Sequence, residues 1–125
     1  MKYKPVSFLN QPGPRIASNS VKVLKHGKIM RLSPDLLTSL KRKGREWYFK
    51  AFVDDKGKEL VLEVAGEEET GVLRAWKSNP GRSESVLISS VGILQSLGID
   101  EKDAEGSYRA EVIGGKIHVR FNEEI

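Results

Sequence analysis

The feature that most restricts what this chain can fold into is that its second half repeats the element order of its first. Leu36-Leu37-Thr38-Ser39-Leu40 lies over Ile93-Leu94-Gln95-Ser96-Leu97, and Phe49-Lys50-Ala51 lies over Tyr108-Arg109-Ala110. Lys58 followed by "ELVLEV" lies over Lys116 followed by "IHVRF". Two amphipathic helices can look alike by chance, but chance would not also align two hairpins in the same order. The recurrence is read as an internal duplication with a period near 57 to 59 residues. A chain of 125 residues then forms one compact domain or two very small interlocked ones, because half of it exposes too much surface to bury a core alone.

Within the first copy, "VKV" alternates, "KHGK" turns and "IMRL" alternates again, which predicts strand, turn, strand. Ser33 is placed to cap a helix, Pro34 suits its first position, and Asp35 favours its positive end. Leu36, Leu37 and Leu40 share one side, and "KRKG" is expected to close this helix after about two turns. The aromatic and β-branched run "EWYFKAFV", the turn "DDKGK" and the alternating "ELVLEV" predict a hairpin with Leu60, Leu62 and Val64 on one face. In the second copy "VLRAWK" and "SVLI" are predicted strands around the turn "SNPGRSE", "SSVGILQSL" is a capped short helix, and "GSYRAEVI", "GG" and "KIHVRF" form a hairpin. Residues 1–20 read as an irregular arm, 21–65 as the first repeat, 66–71 as an acidic connector and 72–125 as the second repeat.

The charges are segregated along the chain. Residues 1–50 hold twelve Lys or Arg against two acids, a local +10, while residues 51–125 hold nine against fifteen, a local −6. Such asymmetry suggests a basic face toward a polyanion, of which nucleic acid is the commonest. Without cysteine neither a disulfide nor a thiolate metal site can form. No apolar run approaches the roughly 20 residues that span a bilayer, and "MKYKPVSFLNQPGP" lacks the apolar block of a secretion signal, so a cytoplasmic protein without membrane contact is expected. His26 and His118 are the only histidines, and neither "DEKD" nor "EEE" offers a partnered base or a metal-ligand spacing. The expectation is therefore no catalytic residue, no metal, no cofactor and no enzyme.

The ordered set of motifs resembles the AbrB, MazE and SpoVT family of swapped-hairpin DNA-binding domains. "GKIMRLSPDLLTSL" at 27–40 is similar to that family's glycine, alternating strand, Arg, aliphatic residue, Pro-containing helix start and paired leucines. "SLGI" at 96–99 is similar to its Leu-Gly-Ile helix ending, where Gly98 can turn left-handed and Ile99 can pack back. The resemblance covers roughly residues 21–125 and implies a mostly β fold with short helices. Two fused repeats would form a swapped-hairpin AbrB-like β-barrel, an intrachain pseudo-dimer. It implies a DNA-binding transcriptional regulator.

Strand alternation turns Met30 and Leu32 inward and Arg31 outward. Lys22, Lys25, Lys28 and Arg31 are the expected main contacts to duplex DNA, Arg for bidentate recognition and Lys for phosphate neutralisation. Arg74, Lys77 and Arg82 are their weaker counterpart in the second copy, where Leu87 stands in place of Arg31. Lys41, Arg42, Lys43 and Arg45 form the densest basic cluster; they are second-rank phosphate contacts, or serve only the helix dipole and solubility. Two alternatives stand beside this reading. The barrel can be a scaffold for a protein partner, as in an antitoxin-like or phage-inhibitor-like module, and further association into a homo-oligomer is compatible with it. Or Trp47, Tyr48, Phe49 and Phe52 can stack the bases of single-stranded DNA or RNA, against the plainer role of core and edge packing.

Overall fold

The fold is given by a computed structural model that describes residues 19–44, 46–77 and 86–125. Alternation of apolar and polar residues becomes strand at β1 (Ser20–Leu24), β2 (Ile29–Leu32), β3 (Tyr48–Asp54) and β4 (Glu59–Ala65). The predicted strand at "VLRAWK" is broken at Ala75 into β5 (Leu73–Arg74) and β6 (Trp76–Lys77). After β7 (Val86–Ser89) and the helix, β8 (Gly106–Ile113) and β9 (Lys116–Glu124) form the last hairpin.

All the pairings are antiparallel, and the nine strands lie in the order β5-β3-β4-β9-β8-β1-β2-β7-β6. The two edge strands are neighbours in sequence: β5 pairs β3, β6 pairs β7, and Ala75 between them donates its N–H to the Trp47 carbonyl at 2.9 Å. One short segment therefore bonds to both ends of the sheet, which rolls into a nearly closed antiparallel β-barrel. The hairpins interleave. Hairpin β1–β2 sits between β8 and β7, and hairpin β3–β4 sits between β5 and β9, so neither half of the chain completes its sheet alone.

The core follows the same logic. Val21, Val23, Met30, Leu32, Phe49, Leu60 and Leu62 from the first half share one cluster with Ile88, Leu94, Leu97, Ile117 and Val119 from the second. Leu60 is buried opposite Val119 and Leu62 opposite Ile117, while His118 is on the outer face. The faces match when Leu60 corresponds to Ile117, one residue away from the alignment of Lys58 with Lys116. The four-residue connection "DKGK" at 55–58 against "GG" at 114–115 makes that end of the hairpin a poor anchor for alignment.

Helix α1 (Pro34–Thr38) is a single turn rather than the expected two, and it ends before "KRKG". Its last turn carries no basic residue, so Lys41, Arg42 and Lys43 do not compensate a helix dipole there. Ser33 occupies the N-cap, but its side chain makes no cap bond; its oxygen accepts the Ser20 N–H at 3.3 Å, joining helix start to β1. Helix α2 (Val91–Leu97) ends as expected. Gly98 turns left-handed at φ 72°, its N–H reaches the Gln95 carbonyl at 3.1 Å, and the Ile99 N–H reaches the Leu94 carbonyl at 3.0 Å. Lys58 adds a bond from Nζ to the Leu97 carbonyl at 2.6 Å, a cation at the negative helix end. The acidic connector is a folded loop: the Glu69 carboxylate accepts the Gly66 N–H at 2.7 Å and pairs with Lys50 at 2.9 Å.

Candidate nucleic-acid interface

Register brings together two of the predicted contact residues. Lys22 on β1 lies directly opposite Arg31 on β2, with Met30 and Leu32 fully buried on the other face. Opposed residues of an antiparallel sheet share a face, so the row continues from Arg31 to Leu87 on β7 and from Leu87 to Trp76 on β6. Lys22 and Trp76 are exposed, and Arg31 and Leu87 are half-buried. Among the described residues neither Lys22 nor Arg31 makes an ion pair.

Lys25 and Lys28 belong to the turn between β1 and β2, at the end of this face. Lys25, His26 and Gly27 all have positive φ, at 55°, 56° and 87°, a twist that hairpins favour but that non-glycine residues adopt at a cost of about 1–2 kcal/mol each. The second half of the chain holds the turn in place. Buried Ser90 donates from Oγ to the Gly27 carbonyl at 2.6 Å and from its N–H to the Lys28 carbonyl at 3.1 Å. A Cβ on Gly27 would lie 2.5 Å from the Glu101 carbonyl oxygen, so the turn packs against the 3-10 turn Glu101–Asp103. Glu105 accepts the His26 N–H at 3.1 Å. Lys25 and Lys28 thus border an acidic segment, while Lys22 and Arg31 lie further along the strands.

The remaining predicted cations separate by partner. Arg74 is held by Glu46 in a two-point pair, Nε at 2.6 Å and Nη2 at 3.1 Å. That hydrogen bond lowers the Glu46 carboxyl below its ordinary range and raises the guanidinium. Lys43 approaches Glu69 at 3.9 Å; the Gly66 N–H, and after it Lys50, hold that carboxylate low as well. Lys41, Arg42 and Lys77 are exposed and make no ion pair among the described residues. Arg45 and Arg82 lie outside the described residues, as do the turn "SNPGRSE" and the arm up to residue 18.

On β4, β9 and β8 the outer face is laced instead. His118 Nδ1 lies 2.9 Å from Glu59, Arg120 pairs with Glu111 at 2.8 Å, and Arg109 pairs with Glu123 at 3.2 Å. The aromatic run of β3 is also divided. Phe49 is buried, Trp47 stacks on it with ring centroids 5.7 Å apart and planes within 1°, and only Phe52 is largely exposed. Phe49 presents no face to a base. That Ser90 would hold the β1–β2 turn, and that Leu87 and Trp76 would extend the row of Arg31, were not among the sequence expectations; Ser90 had a local signal, since it aligns with Ser33, but its bond to the turn spans 63 residues of the chain.

Among the described residues no group of His, Asp and Glu is arranged to hold a metal ion, and no helix is long and apolar enough to cross a membrane. Comparison with known proteins returns no match, whether to family models, to curated proteins or to solved structures.

Proposed function

We propose that this chain is a transcriptional regulator that binds duplex DNA through the outer face of β1 and β2, on a swapped-hairpin barrel built from two fused AbrB-like repeats. The duplication is supported by the interleaved strand order: exchanging the two halves maps the closed order onto itself, with β1 taking the place of β5 and β6, β2 of β7, β3 of β8 and β4 of β9. It is also supported by register: with one extra residue between β7 and the helix of the second copy, Leu87 is the counterpart of Arg31, and the two lie opposite one another as a two-fold axis between β2 and β7 requires.

The single observation that carries the DNA reading is the Lys22–Arg31 pair. Like charges directly opposite one another on a sheet are unfavourable, and among the described residues no carboxylate offsets these two. A phosphate backbone supplies the missing counter-charge, and Arg31 is the member built for two-point contact to phosphate or guanine. Lys25 and Lys28 extend the face toward the acidic turn, where repulsion from Glu101 and Glu105 limits how far a duplex can lie. Lys41 and Arg42 remain outlying phosphate contacts.

Titration of a mixed-sequence duplex at two salt concentrations tests the reading. Affinity should fall steeply with salt, and Lys22→Ala with Arg31→Ala should weaken binding by roughly tenfold or more at low salt. Salt-insensitive binding, or unchanged binding by the double variant, would remove this face from the account.

A further inference from the structure

Both tryptophans of the chain come together at the barrel seam. Trp47 just before β3 and Trp76 at the start of β6 line one cleft of about 500 Å³ with Arg42, Glu46, Arg74 and Lys77. That volume lies within the roughly 300–1,000 Å³ of sites that hold small ligands. The two indoles differ in how they are held. Trp47 is half-buried and fixed by its parallel stack on Phe49, whereas Trp76 is 42% exposed and makes no ring contact among the described residues.

The charges in the cleft are unequal. Among the described residues Glu46 is its one acid, and both its oxygens are taken up by Arg74. Arg42, whose charge also helps to lower Glu46, and Lys77 line the same cleft without an ion pair among the described residues, so that cations outnumber acids there. An exposed indole beside surplus cations has two complements, a flat aromatic ring to stack and an anion to neutralise. A nucleotide carries both in one unit, a base and a 5′-phosphate a few ångströms apart.

We propose that this seam cleft binds one unpaired nucleotide, with Trp76 stacking the base and Arg42 and Lys77 taking the phosphate. The site goes beyond the duplex reading and does not depend on it. The two are nevertheless continuous: Trp76 ends the cross-strand row that begins at Lys22 and Arg31, so an unpaired base at the margin of a bound strand would reach it. The same chemistry is offered by a free nucleotide and by a nucleotide of a single strand.

Because no tryptophan lies elsewhere in the chain, tryptophan fluorescence, excited selectively over the three tyrosines, reports on this cleft alone. Adenosine monophosphate, ribose 5-phosphate and a short single strand of deoxyadenosine are titrated against the full chain, with calorimetry as the second readout. Adenosine monophosphate should quench saturably and bind about tenfold tighter than ribose 5-phosphate, which lacks the base. Trp76→Leu should erase that difference, and Lys77→Ala should weaken both phosphates together. Tighter binding of the strand assigns the site to single strands, equal binding assigns it to free nucleotides, and either upholds the proposal. Lys22→Ala with Arg31→Ala should leave the nucleotide affinity unchanged, so that failure of the cleft and failure of the duplex face appear separately. Equal affinity for adenosine monophosphate and ribose 5-phosphate, or no saturable quenching by nucleotide or strand, would overturn it.

Discussion

The outer faces of β1–β2 and of β4–β9–β8 carry similar residue types and treat their cations differently. On β9 and β8, Arg120 and Arg109 each have a glutamate partner, and His118 has Glu59. On β1 and β2, Lys22 and Arg31 face one another, and among the described residues neither has an acid partner. Surface ion pairs contribute only about 0–1 kcal/mol each, so this difference says little about what holds the barrel together. It says where positive potential is left uncancelled. Net charge alone, +4 over the chain, would not locate it.

If the two faces differ only in surface charge, then the core beneath them is common, and breaking the core should break both together. Leu62→Ala, a fully buried site facing Ile117, is expected to cost about 2–5 kcal/mol and to leave a single cooperative denaturant transition. Two separate transitions would mean that the halves fold independently. The next effect is confined to one side. Gly27→Ala places a Cβ against the Glu101 backbone at positive φ, and should destabilise by at least about 1–2 kcal/mol while loosening the β1–β2 turn. Ser90→Ala, which leaves the buried Gly27 carbonyl without that donor, should cost about 1–3 kcal/mol, and amide exchange should rise in residues 25–28 more than in β4 or β9.

The smallest effect is acid sensitivity around the acidic connector. The Glu69 carboxyl is lowered in the folded state by the Gly66 N–H and by Lys50, so its contribution is present above the ordinary glutamate range and is lost as pH falls through the lowered folded value. Glu69→Gln should flatten the acid limb of the stability curve, and Glu46→Gln should do the same for the Arg74 pair. An unchanged acid limb in both variants would remove these pairs from the account of acid stability.

Much of the barrel was legible because the pattern that specifies strands is local. Alternation at "IMRL" and "ELVLEV" assigned Met30, Leu32, Leu60 and Leu62 to the faces that are buried, "VKV" and "KIHVRF" read as strands, and "SLGI" closed α2 in the way glycine allows. What was not legible depends on residues distant in sequence. The break at Ala75 arises because its segment must serve β3 on one side and β7 on the other. Ser33 reads as a helix cap, yet Ser20 competes for its oxygen once β1 lies beside it. The site divides in the same way: Lys22 and Arg31 could be paired from strand and turn lengths, whereas the bond from Glu46 to Arg74 and the meeting of Trp47 with Trp76 arise from closure of the barrel.

Whether polyanion binding belongs to the uncancelled face is decided by comparing two variants that lose the same charge in different places. The slope of log affinity for duplex DNA against log salt is measured for the wild type, for Lys22→Ala with Arg31→Ala, and for Arg109→Ala with Arg120→Ala. Each phosphate contact contributes about 0.9 to the slope, so the first variant should reduce its magnitude by about 1.8 and the second should leave it unchanged. Equal reductions in both variants would mean that only total charge matters, and would contradict the account.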